Sequence, residues 1–170
     1  MKKNIIYLLT FFTMFFSPLL SEEKNKGSND HQFNSFVGNF DFSDDKQAAL
    51  LFGFQHQNES LQRNTFLGNI SPITGGFITE NSAVYIYSGV EWNIDMGSFV
   101  FTPSFAPGLY RQGDGKDLGH VLGFKTEAQL SYGLSEGTSF GMSYNHISNA
   151  SLGDKNPGAN SYMFNFLKTF

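Results

Sequence analysis

The sequence predicts an all-β fold, an eight-stranded antiparallel transmembrane β-barrel, and three observations predict it. The chain opens on a secretion-type leader, continues in segments of about ten residues in which apolar and small or polar residues alternate, and ends on such a segment closed by Phe170. The residue supply agrees, because 20 Phe and 18 Gly suit twisted strands and tight turns better than helices. No second domain is visible.

In the leader, Lys2 and Lys3 precede an apolar run from Ile5 to Leu20, and Ser21 stands before acidic Glu22. This predicts a signal peptide over 1–21 and an outer-membrane barrel over 22–170. Ser17 and Pro18 break the run and leave it short for a retained membrane helix. With no cysteine, a lipoprotein anchor, a disulfide and a thiolate metal site are excluded. The 15 acidic side chains outnumber the 11 basic ones, which argues against a nucleic-acid partner that would require basic side chains along a phosphate backbone.

After the polar stretch Glu22 to His31, turn-rich pieces separate the candidate strands. The first two fall near 33–42 and 47–57. The third, 66–79, is the weakest, since Pro72 and the pair Gly75 and Gly76 interrupt it. The fourth lies near 83–92. In the fifth, 98–110, Phe99, Phe101, Phe105 and Leu109 alternate with Val100, Thr102, Ser104, Ala106 and Gly108. In the sixth, 119–132, Leu122, Phe124, Ala128 and Leu130 oppose Gly123, Lys125, Glu127 and Gln129, a set suited to a polar interior. Lys125 and Glu127 read as a barrel-filling ion pair.

The seventh strand, 138–148, places Phe140, Met142, Tyr144, His146 and Ser148 on one face. The eighth, 160–170, places Asn160, Tyr162, Phe164, Phe166, Lys168 and Phe170 together, with Lys168 able to reach the headgroups. Eight is an even number that closes. Periodicity alone does not decide which face turns inward, and a soluble sandwich or lipocalin would reverse the two; the leader and the terminal Phe favour the membrane barrel. With both termini in the periplasm, loop 149–159 is extracellular, and His146, Ser148 and Asn160 stand at the outer rim on the lipid-facing side.

Polar groups on that face mark either function or the water interface. A serine hydroxyl is a weak nucleophile until a neighbouring imidazole accepts its proton, and His146 and Ser148 sit two apart on one strand face. The tetrahedral oxyanion then needs fixed donors, a role open to an Asn side chain and to loop N–H groups near Asn149 and Gly158.

The run His146-Ile147-Ser148-Asn149-Ala150, followed by Asn156-Pro157-Gly158, resembles the HxSNA…NPG signature of the PagL-type lipid A 3-O-deacylases. The resemblance implies an eight-stranded outer-membrane serine esterase that hydrolyses the ester-linked 3-hydroxyacyl chain at position 3 of lipid A through an acyl-enzyme. It implies no cofactor and no metal. By that similarity Ser148 is the nucleophile, His146 the general base and Asn156 the oxyanion donor, and the partner is lipid A or lipopolysaccharide of the outer leaflet. At Asn160 the characterised members of the family carry the glutamate that orients the histidine. Asparagine offers a hydrogen bond but no negative charge for the imidazolium. The nearest acid in sequence is Asp154 in the same loop, while Glu136 falls at the opposite end of the barrel.

A second reading keeps the scaffold without catalysis, as a small barrel serving membrane integrity, adhesion or small-solute binding; the sequence also leaves open whether the barrel forms a homodimer. Gly113-Asp114-Gly115-Lys116-Asp117 reads as an acidic glycine-rich external turn rather than a cation loop. His31, His56 and His120 lack ligand-like spacing.

Overall fold

The structure is a computed structural model that describes residues 31–44, 46–66 and 68–170. The expected signal peptide, 1–21, lies outside the described residues. Among those described, the strands are β1 His31–Phe40, β2 Ala49–Asn58, β3 Arg63–Thr65, β4 Gly68–Thr79, β5 Val84–Met96, β6 Phe99–Arg111, β7 Leu122–Ser135, β8 Thr138–Ser148 and β9 Ala159–Thr169. All pairings between them are antiparallel. The last strand returns to the first, with Gln32 opposite Thr169 and Asn39 opposite Tyr162. On the other side β2 pairs directly with β4, from Leu51 opposite Thr79 to Gln57 opposite Ile73.

Eight strands therefore close a ring, and the three-residue β3 pairs only with the start of β4, outside it. Closure gives the ring's backbone polar groups partners within the wall, which a hydrocarbon surrounding requires.

The expected eight strands are all present, with the largest boundary differences at β5, which continues to Met96, and β7, which begins at Leu122 and runs to Ser135. Pairing with β6 carries β5 on to Met96, and pairing with β8 carries β7 on to Ser135. The interrupted third candidate holds as β4. A Cβ on Gly75 would lie 2.7 Å from the Tyr87 hydroxyl and 2.6 Å from the Phe54 carbonyl. The glycine therefore makes room for an inward tyrosine rather than breaking the strand.

The alternation sorts as a membrane barrel requires. Phe140, Met142, Tyr144, Phe164 and Phe166 are exposed on the outer wall, while Ser143, Asn145, Met163 and Asn165 are buried inside. The lumen is filled. Lys125 Nζ lies 2.7 Å from Glu127 Oε2 and 4.1 Å above the centre of the Tyr87 ring. Gln55 donates to Glu91 at 2.8 Å, and Asn34 donates to Asn165 and Gln129 at 3.0 and 3.2 Å.

This interior gives a stability prediction. Lys125 is 2% exposed and pairs with Glu127, so Lys125→Met should lower stability by about 3 kcal/mol through the carboxylate left without its partner. Lys125→Met combined with Glu127→Leu should recover much of that loss. Urea unfolding of the micelle-folded protein, read by the heat-dependent gel shift, measures both; equal losses in the single and double variants would contradict the account.

Tight turns containing Gly97 and Gly137, both at positive φ, join β5 to β6 and β7 to β8 at one end. The connections 41–48, 112–121 and 149–158 are longer and share the other end. Short periplasmic turns and longer external loops are the usual arrangement. By that arrangement the three longer loops lie at the external rim, together with the end of β8 and the start of β9.

Candidate active site

Strands β8 and β9 pair with His146 directly opposite Asn160. Ser148 follows on the same outward face, one step nearer the external rim. His146 Nδ1 lies 2.8 Å from Asn160 Oδ1, and the Tyr144 hydroxyl donates to that same oxygen at 2.8 Å. At its other end the amide is also engaged, with Asn160 Nδ2 donating to Ser43 Oγ at 3.3 Å. Phe42 packs beside these groups, its ring centre 5.3 Å from that of Tyr162 and 6.3 Å from that of Tyr144. An aromatic collar of this kind suits the membrane interface. The Ser148 hydroxyl makes no hydrogen bond among the described residues.

Loop 149–158 frames the pair. Its backbone reverses through Ala150 and Ser151, both at positive φ, and Leu152 donates back to the Asn149 carbonyl at 3.0 Å. The Asn149 side chain turns into the protein, where Nδ2 donates to the Leu118 and Lys155 carbonyls at 2.7 Å each. Its backbone N–H donates to Asn156 Oδ1 at 3.0 Å. That bond fixes the direction of the Asn156 amide, whose Nδ2 has no partner among the described residues. Gly158, at φ +64°, lies against the imidazole: a Cβ there would be 2.7 Å from His146 Cε1. Only glycine meets both the backbone conformation and the contact.

The neighbouring loop, 112–121, holds this one in place. Lys155 Nζ lies 2.7 Å from Asp117 Oδ2. The hydrogen bond from Lys155, with a second from the Gly119 N–H, holds the Asp117 carboxyl below its usual pKa. A depressed carboxylate stabilises the folded loops above its unfolded pKa, and the contribution disappears as pH falls through the folded value.

The structure therefore gathers His146, Ser148, Asn149, Asn156, Gly158 and Asn160 at one rim. It also adds three residues to which the sequence reading assigned no role, Tyr144, Asp41 and Ser43. Tyr144 precedes His146 by two and shares its face, so strand parity carried a signal for it. Asp41 and Ser43 come from the first external loop, and only the β1–β9 closure brings them here. Asp154 makes no polar contact among the described residues, whereas Asp41 Oδ1 accepts the Asn160 backbone N–H at 3.4 Å. The acid near the site is thus remote in sequence. His31 and His56 also meet, at 2.9 Å, but at the start of β1 and near the end of β2, at the opposite end of the barrel.

Comparison with known proteins identifies the barrel. Among solved structures, the crystal structure of the outer membrane enzyme PagL superposes with a TM-score of 0.64 at 17% identity, covering 81% of this chain and 98% of that one. A de novo designed transmembrane β-barrel gives 0.52 at 12% identity, with coverage of 85% and 98%. Neisserial surface protein A gives 0.51 at 10% identity, with coverage of 86% and 100%. At such identities these likenesses speak for the fold. No curated protein matches the sequence. The family model for lipid A 3-O-deacylase (PagL) matches residues 48–169, a stretch that contains His146, Ser148, Asn156 and Asn160 and begins after Asp41 and Ser43. With that match over most of its length, the chain belongs to the PagL family of lipid A 3-O-deacylases, ester hydrolases of the bacterial outer membrane.

Proposed function

We propose that His146, Ser148, Asn156 and Asn160 carry the deacylation, on lipid A that reaches the barrel wall laterally from the outer leaflet. The observation that carries this reading is the 2.8 Å contact between His146 Nδ1 and Asn160 Oδ1, with Ser148 next on the same outward face. An oxygen at Nδ1 selects the tautomer whose Nε2 lone pair is free, and that nitrogen is the one available to the serine.

Ser148 Oγ attacks the carbonyl carbon of the ester at position 3 while His146 Nε2 takes the hydroxyl proton. The oxyanion forms beside the unpaired Asn156 Nδ2, whose direction is fixed by its bond from Asn149. Collapse breaks the bond to the sugar oxygen, and the imidazolium returns its proton to that oxygen. Water then attacks the acyl-serine, again giving a proton to His146, and the 3-hydroxy fatty acid leaves with Ser148 restored. The serine–histidine hydrogen bond forms as substrate seats, since such contacts are commonly longer in an empty enzyme than in its complex. Residues 1–21, with Lys2 and Lys3 before the apolar run, serve as the export signal.

Asn160 is the position at which this reading is tested. Asn160→Ala should lower turnover on the order of 10- to 100-fold, the worth of a hydrogen bond to a group that becomes charged. Asn160→Glu should preserve turnover or raise it, because a carboxylate stabilises the imidazolium more than an amide does. Release of hydroxy fatty acid from purified lipid A by the folded proteins decides it. Asn160→Ala equal to wild type would remove Asn160 from the site; inactivity of both wild type and Asn160→Glu would favour a non-catalytic barrel.

A further inference from the structure

An amide has two chemically different ends, so an asparagine beside a histidine supports one tautomer or the other according to which end it presents. A carboxylate poses no such choice, since both of its oxygens accept. In this chain the choice is made by groups that converge on Asn160 from the first external loop.

Asp41 is fully buried, its Oδ2 lies 2.6 Å from Lys116 Nζ, and it sits at φ +51°, a backbone state that Asp tolerates better than most residues. As a carboxylate it only accepts. The Ser43 hydroxyl has one proton, and it is directed to Asp41 Oδ1 at 3.5 Å. Ser43 Oγ therefore turns its lone pairs to Asn160, where the NH₂ end donates at 3.3 Å. This leaves Oδ1 to face His146 Nδ1 and the Tyr144 hydroxyl, each at 2.8 Å. The backbone holds the two parts together, with Phe42 N–H donating to the Asn160 carbonyl at 3.1 Å and Asn160 N–H donating to Asp41 Oδ1 at 3.4 Å.

We propose that Asp41 and Ser43 are positioning residues that fix the direction of the Asn160 amide and through it the Nδ1–H tautomer of His146. The inference rests on reading His146 as the general base. Were the amide reversed, its NH₂ would donate to Nδ1, the ring proton would move to Nε2, and the nitrogen facing Ser148 would have no lone pair to accept the serine proton. Asp41 and Ser43 thus supply, through two hydrogen bonds, the donor–acceptor polarity that a glutamate would hold by itself.

The test pairs kinetics with a direct reading of the ring. Ser43→Ala should lower kcat roughly tenfold, the worth of one such hydrogen bond, with KM little changed. Ser43→Thr, which keeps the hydroxyl, should restore it. In an Asn160→Asp background the same Ser43→Ala change should have no effect on kcat, because a carboxylate has no wrong direction. Nitrogen-15 shifts of the His146 ring in the micelle-folded full chain, assigned by difference from His146→Ala, should show Nδ1–H in wild type and admixed Nε2–H in Ser43→Ala. Equal losses from Ser43→Ala in the wild-type and Asn160→Asp backgrounds, or a ring tautomer unmoved by Ser43→Ala, would overturn the proposal. The ring measurement needs no turnover, so failure of the serine mechanism, seen as activity persisting in Ser148→Ala, remains distinguishable from failure of this inference.

Discussion

Ser148→Ala and His146→Ala are each expected to reduce release of the hydroxy fatty acid by on the order of 10⁴-fold or more while the barrel still folds. Neither side chain fills the lumen: both face outward from β8, and the Ser148 hydroxyl makes no hydrogen bond among the described residues. The heat-dependent gel shift should therefore match wild type in both. Because nucleophile and base act as a unit, the double variant should be little worse than either single one. Losses that multiplied in the double variant would indicate two independent contributions, and full turnover in Ser148→Ala would remove the nucleophile assignment.

Asn156→Ala is expected to cost on the order of 10²- to 10³-fold in kcat, the effect of losing one donor to the oxyanion. The same substitution also frees the Asn149 N–H, which Asn156 Oδ1 accepts at 3.0 Å, so a loosened loop is the competing explanation. Asn156→Asp separates the two. It keeps the acceptor for Asn149 but has no NH₂ to offer, so it should be nearly as impaired as Asn156→Ala if the donor matters. Activity close to wild type in Asn156→Asp would assign Asn156 to loop structure alone.

Strand parity made much of this legible in the sequence. His146, Ser148 and Asn160 fall on the outward face because side chains alternate, and the polar set Lys125, Glu127 and Gln129 falls inside for the same reason. The third strand is harder to read, since Pro72 and Gly75 resemble a break; the close approach of the Phe54 carbonyl and the inward Tyr87 ring, from the strands on either side, explains why glycine belongs there. Parity also assigns no roles within the loops. The loop N–H groups near Asn149 read as oxyanion donors, yet the Asn149 N–H is taken by Asn156, and its side-chain amide is turned inward onto the Leu118 and Lys155 carbonyls. Nothing local in sequence reports such long-range acceptors. The acid proposed to support the site is the least accessible, because Asp41 and Asn160 are 119 positions apart and meet only through closure of the ring.

On the proposed assignment, the outward placement of His146, Ser148 and Asn160 also fixes the dimension in which the enzyme works. A catalytic group on the bilayer side of the wall meets substrate that diffuses in a plane, so encounter frequency follows the number of lipid molecules per unit area, and the volume of surrounding solution drops out. The natural measure of saturation is then a mole fraction in the leaflet rather than a molar concentration. Inert lipid acts as a diluent, and the deacylated product, retained in the same leaflet, competes for the same stretch of wall.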